Sequence, residues 1–222
     1  MSESDPVDFE IARKKMVDCQ IRPNDVTDKA VIDAFATIPR EAFVPKAKQS
    51  VAYSELELPT VEGRAFWLSR DLSKLLQAMA LKSSDLALVI GAGEGYTAAL
   101  MNALVDTVIA LEVDEDVSEA SGELLSSLGY DRVAFVSGKL EDGYAAEGPY
   151  DAILVNGLVE YVPDAWLKQL KPGGRLGVVV GTPDAAHARI YTATEQAVSF
   201  RNAFECVPPA LPEIKRERDF VF

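Results

Sequence analysis

An α/β fold, with a mostly parallel sheet covered by helices on both faces, is what this 222-residue sequence predicts. Three observations carry that expectation. From Asp85 onward, short β-branched runs alternate with helical segments at the spacing of repeated strand–helix units. Two of those runs, LALVI and LGVVV, are apolar almost throughout, as strands buried on both faces are. Between the first run and its helix stands the cluster Gly91-Ala92-Gly93-Glu94-Gly95, where the chain must turn tightly.

The elements follow in order. Residues 8–50 carry a helical pattern in which Phe9, Ile11, Met16 and Val17 recur at near-helical spacing, and Arg22-Pro23 after Ile21 ends it. A second helix is expected over residues 28–37, with Thr27 or Asn24 as its cap. Pro39 and Pro45 bracket a short connection, and residues 53–67 read as irregular or weakly extended. A helix then starts near Ser69, its expected N-cap, with Asp71 in the first turn and Leu72, Leu75, Leu76 and Met79 along one face.

The core reads as strand 86–90, helix 96–104, strand 107–111, helix 117–128, strand 133–136, strand 152–155, helix 164–170 and strand 176–180. Past Gly181, residues 188–194 and 197–204 read as an antiparallel hairpin joined at Glu195-Gln196, closing a seven-stranded sheet. The chain is expected to be one domain, residues 1–68 forming a helical cap with its connecting segment and residues 69–222 a Rossmann-like core.

Composition narrows the function classes. A net charge of −13 argues against the duplex phosphate backbone as a partner, since binding it relies on a surplus of lysine and arginine. The basic run Lys215-Arg216-Glu217-Arg218 reads as a solvated turn or strand edge rather than a binding patch. No stretch of about eighteen apolar residues predicts a membrane span. MSESDPVDFE is polar and acidic, unlike a signal peptide. Cys19 and Cys206 lie too far apart in sequence to suggest a zinc site or a disulfide framework, so a reducing cytoplasm is the expected compartment.

The glycine cluster is the motif that carries chemistry. A dinucleotide fingerprint wants G-x-G-x-x-G; here the third glycine arrives one residue early and Tyr96 fills the later slot. G-x-G-x-G is the spacing methyltransferases use around S-adenosylmethionine. Glu112, seventeen residues after Gly95, ends the second core strand, where a carboxylate can accept both hydroxyl protons of an adenosine ribose or stand merely solvated. Gly138 follows the third strand, where an adenine ring can be clamped, and Asn156-Gly157 follows the fourth on the same carboxyl edge. The candidate cofactor-binding set is Gly91, Ala92, Gly93, Gly95, Tyr96, Glu112, Val113, Gly138, Lys139, Leu140 and Asn156. His187, the only histidine, lies near the expected hairpin and away from that edge. Asp114-Glu115-Asp116 reads as helix N-terminal charge, and no metal-ligand cluster is visible. Missing acid–base machinery fits methyl transfer to a carboxylate, which is already ionised at neutral pH and needs only alignment and exclusion of water.

With these residues in view, the chain resembles the protein-L-isoaspartate O-methyltransferase family over nearly its whole length. The stretch from Arg13 to Arg22, RKKMVDCQIR, is similar to the family's opening helix, and IPREAFVP, Ile38 to Pro45, to its most distinctive N-terminal phrase. Gly91 to Ala98 resembles its cofactor turn; Tyr150-Asp151-Ala152-Ile153 and LKPGGRL, from Leu170 to Leu176, resemble the approaches to two later strands. The resemblance implies S-adenosylmethionine as methyl donor and isoaspartyl carboxylates of damaged proteins or peptides as acceptors.

Three positions depart from the family pattern. Val89 stands where an acid is usual two residues before the first glycine, and Lys139 where an aspartate is frequent. The family's Thr-Ile-Ser-x-Pro falls, counted without gaps, with its serine on Trp67 and its proline on Ser69; a shifted alignment keeps Ser69 as the catalytic hydroxyl. Two alternatives therefore stand beside a carboxyl methyltransferase. One is a binding protein on a catalytically lapsed methyltransferase fold, the other a methyltransferase for a different acceptor.

Overall fold

The computed structural model describes residues 7–60 and 63–216. The acidic N-terminus before Val7, and Glu217-Arg218 of the basic run, lie outside the described residues.

The N-terminal third is helical. Helix α1 (Phe9–Met16) starts at Asp8, whose carboxylate accepts from the Ile11 amide. It widens through a π-helical turn at Val17–Ile21 and then tightens in a 3-10 turn at Arg22–Asn24. Helix α2 (Lys29–Thr37) is capped by Asp28, which accepts from the amides of Ala30 and Val31. Neither expected cap serves. The Asn24 amide donates back to Gln20, and the Thr27 amide donates to the Gln77 side chain of a later helix. Between Pro39 and Pro45 a single helical turn, α3 (Arg40–Phe43), forms in what read as a plain connection.

The expected extended stretch resolves into a small antiparallel pair, β1 (Leu58–Pro59) and β2 (Ala65–Phe66). Helix α4 (Ser69–Ala78) follows, with Leu68 rather than Ser69 at the cap position. The reason is local. The Ser69 hydroxyl turns inward, accepts from Arg40 Nη1 at 3.1 Å and donates to the Met16 sulfur, so it has left the helix end.

The core alternates strand and helix: β3 (Leu86–Ile90), α5 (Tyr96–Asn102), β4 (Thr107–Glu112), α6 (Glu115–Ser127), β5 (Val133–Ser137), β6 (Tyr150–Val159), α7 (Asp164–Lys168) and β7 (Leu170–Thr182). Strands β8 (Ala185–Ala193) and β9 (Val198–Glu205) form the closing hairpin. The seven-stranded sheet runs β5-β4-β3-β6-β7-β8-β9. It is parallel from β5 to β7 and antiparallel beyond, as the sequence predicts. Strand β6 runs past Val155 to Val159, with a break in its register to β7 between Leu154 and Leu158. The extension is held from outside: the Leu158 amide donates to the Pro209 carbonyl, and the Leu211 amide to the Leu158 carbonyl.

Side chains of β3 divide between the two faces with the period of a strand. Ala87 and Val89 join the core that contains Met16, Phe35 and Leu75, so the N-terminal helices and the sheet share one apolar cluster. Leu88 and Ile90 pack on the other face with Trp166, Leu211 and Ile214. The chain winds from β3 toward β5 on one side and then crosses to β6 on the other. Such a reversal opens a crevice beyond the carboxyl end of the first strand. No helix of the described residues is long and apolar enough to cross a membrane.

Candidate functional site

The glycine turn sits at that crevice. Gly91, Gly93 and Gly95 hold φ of +73°, +53° and +87°, a region side-chain-bearing residues rarely adopt. A Cβ on Gly93 would meet nothing within 4 Å, so the middle of the turn faces open space. The turn is anchored from three sides. The amides of Gly91 and Ala92 both donate to the Leu111 carbonyl, the Ser121 hydroxyl donates to the Gly93 carbonyl, and the Asn156 amide donates to the Gly91 carbonyl at 2.9 Å. Asn156 also accepts from the Thr97 hydroxyl, which joins β6 to the first turn of α5. It lies inside the extended β6, at the break in register, rather than after the strand.

Glu112 closes the near side. Its carboxylate is 1% exposed and accepts from Gly93 N and Val113 N at 2.8 Å each. A third donor comes from a residue that the sequence did not single out. Arg64 Nη1 lies 2.6 Å from Glu112 Oε2, and its Nη2 lies 2.6 Å from Glu213 Oε1. Burial would lower the Arg64 pKa, but the two carboxylates outweigh it and hold the guanidinium above its ordinary value. Asp114, as expected, caps α6 by accepting from the amides of Asp116 and Val117.

The other candidates scatter along the same edge. Val113 is exposed, the Gly138 amide donates to the Glu112 carbonyl, and Lys139 projects into solvent. Leu140 is buried, with its carbonyl accepting from the Trp166 indole. Val89 is fully buried between Ala110 of β4 and Leu154 of β6. His187 pairs with Val180 near the carboxyl end of β7, closer to that edge than expected but three strands along from β3.

Tyr96 and Trp67 face a small cavity beside the turn, about 20 Å³, room for about one water. Arg64, Phe66 and Asn156 also line it. Behind it lies Arg40, 1% exposed, which donates to the Trp67 carbonyl and the Ser69 hydroxyl and stacks over the rings of Phe66 and Tyr96. Burial pulls the Arg40 guanidinium below its ordinary value, with Tyr96 pulling the other way. Burial pushes the Tyr96 hydroxyl up to about 12. Arg40 Nε, Trp67 Nε1 and the Tyr96 hydroxyl have no hydrogen-bond partner among the described residues. Ser69, the candidate catalytic hydroxyl, points to Arg40 and Met16 and does not line the cavity.

The far side is covered by the chain after β9. Ala210 bridges to Leu158, and a Cβ on Gly157 would come within 3.2 Å of both Leu211 N and Pro209 O. A Cβ on Gly91 would stand 2.7 Å from Leu211 Cδ1. Arg64 and this strap escaped the sequence reading because both reach the site from distant segments, Glu213 lying 149 residues from Arg64. Gly157 is the one local signal for the strap, since its missing side chain leaves room for Leu211 rather than for a ligand.

Comparison with known proteins agrees with this architecture. The sequence profile of protein-L-isoaspartate(D-aspartate) O-methyltransferases matches residues 12–207. The chain is 36% identical over 172 residues to protein-L-isoaspartate O-methyltransferase 2 of Shewanella sediminis, covering 78% of this chain and 70% of that one. It is 38% identical over 186 residues to protein-L-isoaspartate O-methyltransferase of Methylorubrum extorquens, covering 82% and 80%. A solved protein-L-isoaspartate O-methyltransferase superposes with a TM-score of 0.78 at 26% identity, over 89% of this chain and 65% of that one. A Plasmodium falciparum chain described as the same kind of enzyme, in complex with S-adenosyl-L-homocysteine, shares the fold with a TM-score of 0.73 at 16% identity, over 93% and 99%.

Proposed function

The chain belongs to the protein-L-isoaspartate O-methyltransferase family, and from that premise we propose that it uses S-adenosylmethionine to methylate the side-chain carboxylate of isoaspartyl residues in damaged proteins or peptides. The observation that carries the reading is the glycine turn at the sheet's reversal point with Glu112 beside it. The donor set suits the cofactor: three glycines at positive φ, open space at Gly93 and a strand-end carboxylate.

In this reading S-adenosylmethionine supplies an electrophilic methyl group. Gly91, Ala92, Gly93 and Gly95 let the backbone approach the ligand, Tyr96 forms part of the wall, and Asn156 fixes the turn. Glu112 would hold the ribose hydroxyls, and Val113, Gly138, Lys139 and Leu140 would hold the adenine end. The acceptor carboxylate arrives ionised, so the protein aligns it and excludes water without a general base. We read residues 1–222 as one domain, supported by the cluster that the N-terminal helices share with the sheet. We place the protein in the cytoplasm, supported by Cys19 and Cys206 standing as free thiols.

Incubation with radiolabelled donor and an isoaspartyl peptide tests the reading, and a base-labile methyl ester is the expected product. Donor binding without ester on any isoaspartyl peptide would overturn the acceptor assignment. One observation favours a second reading. Counted without gaps, Trp67 falls at the family's serine position, and it lines the cavity, which suits a different acceptor or a protein that binds without turnover. Mass spectrometry of methylated products from a cell extract separates these two.

A further inference from the structure

The ribose seat and its competitor belong to the same chain. A carboxylate offers about four lone-pair sites, of which the two hydroxyl donors of a ribose diol need two, and Val113 N already takes one on Glu112 Oε1. In this structure Glu112 Oε2 already accepts from Gly93 N at 2.8 Å and from Arg64 Nη1 at 2.6 Å. Charge-assisted bonds of that length are the strong ones, and this pair is nearly out of solvent, 8% and 1% exposed. The second arm of Arg64 is fastened to Glu213, whose side chain is 31% exposed at the outer rim. Both partners sit on covering segments. Arg64 adjoins β2, with its carbonyl accepting from Thr60 N, and Glu213 belongs to the strap that lays Leu211 against Gly91.

The geometry points to Arg64 as an affinity-determining latch: its guanidinium competes with the donor's ribose for Glu112, and Glu213 holds it in the competing position. This inference rests on the proposed donor site. Its consequence is an order of events on binding. Arg64 must leave Glu112 before the carboxylate can receive both hydroxyls, and Glu213, paired with Arg64, moves outward with it. Neither carboxylate replaces the other. Glu112 is fixed by two backbone amides, whereas Glu213 has room to follow Arg64 outward.

Isothermal titration with S-adenosyl-L-homocysteine tests the latch without requiring turnover. Arg64→Gln is expected to tighten binding at least tenfold over the unaltered protein, and Glu213→Gln severalfold, because it frees one arm of Arg64. The double variant should bind no tighter than Arg64→Gln alone, since both act through the same contact. Equal or weaker binding by Arg64→Gln overturns the proposal. Should that variant fail to fold, the exposed-rim Glu213→Gln carries the test, and unchanged affinity there overturns it. If the unaltered protein binds and the variants match it, the latch alone falls. If no form binds at millimolar ligand, the donor assignment falls with it.

Discussion

Glu112 shows how much one side chain can be asked to hold. It ends a buried strand, accepts from two backbone amides and neutralises Arg64, while its own side chain is 1% exposed. Its candidacy was legible because strand ends at the carboxyl edge are where such folds bind ligands. Arg64 was not legible, because nothing local marks an arginine whose partner is 48 residues away. The cysteines offer a separate check at this scale. Burial, with Asp71, pushes the Cys206 thiol up to about 12, against the opposing pull of Lys74 and Arg70, while Cys19 is exposed. Thiolate is the reactive form. Iodoacetamide at pH 8 should therefore modify Cys19 well before Cys206, as peptide mass spectrometry would read, and equal rates would contradict the packing around β9.

At the scale of elements, helix and strand positions followed from periodicity, and the errors gathered at their ends. Ser69 had the right chemistry for a cap, yet Arg40 and Met16 drew its hydroxyl into the core. Strand β6 outran its expected end because the strap supplies hydrogen bonds beyond Val155. The start of the sheet is tied by Asp151, which accepts from Leu86 N at 2.9 Å and Lys171 Nζ at 2.6 Å. Burial alone would raise the Asp151 pKa, but Lys171, the Leu86 amide and Arg175 hold it below its ordinary 3.8. A depressed carboxyl contributes stability that is present above its unfolded pKa and lost as pH falls through the folded value. Asp151→Asn should thus lower stability at pH 7 by about 1 kcal/mol and flatten the loss below about pH 4, read by urea titration across pH. An unchanged acid limb would show that Asp151 does not tie the strands.

At the scale of the molecule, the N-terminal helices share one apolar cluster with one face of the sheet. Met16, Ile21, Phe35 and Ile38 lie in the cluster that holds Ala87, Val89 and Ala99. A chain beginning at residue 69 should consequently lose cooperative unfolding and near-ultraviolet circular dichroism, and should bind a hydrophobic dye. A cooperative transition at the full-length midpoint would separate the cap from the domain. By itself the sequence determined the α/β class, the closing hairpin, the glycine turn and the carboxylate at the end of β4. Those features depend on period, backbone conformation and strand order, which are written in neighbouring residues. Only the tertiary structure decided what stands in front of that carboxylate. Arg64 and the strap with Glu213 and Leu211 meet there because distant segments fold onto one edge of the sheet, and contacts of that kind leave no period in the chain.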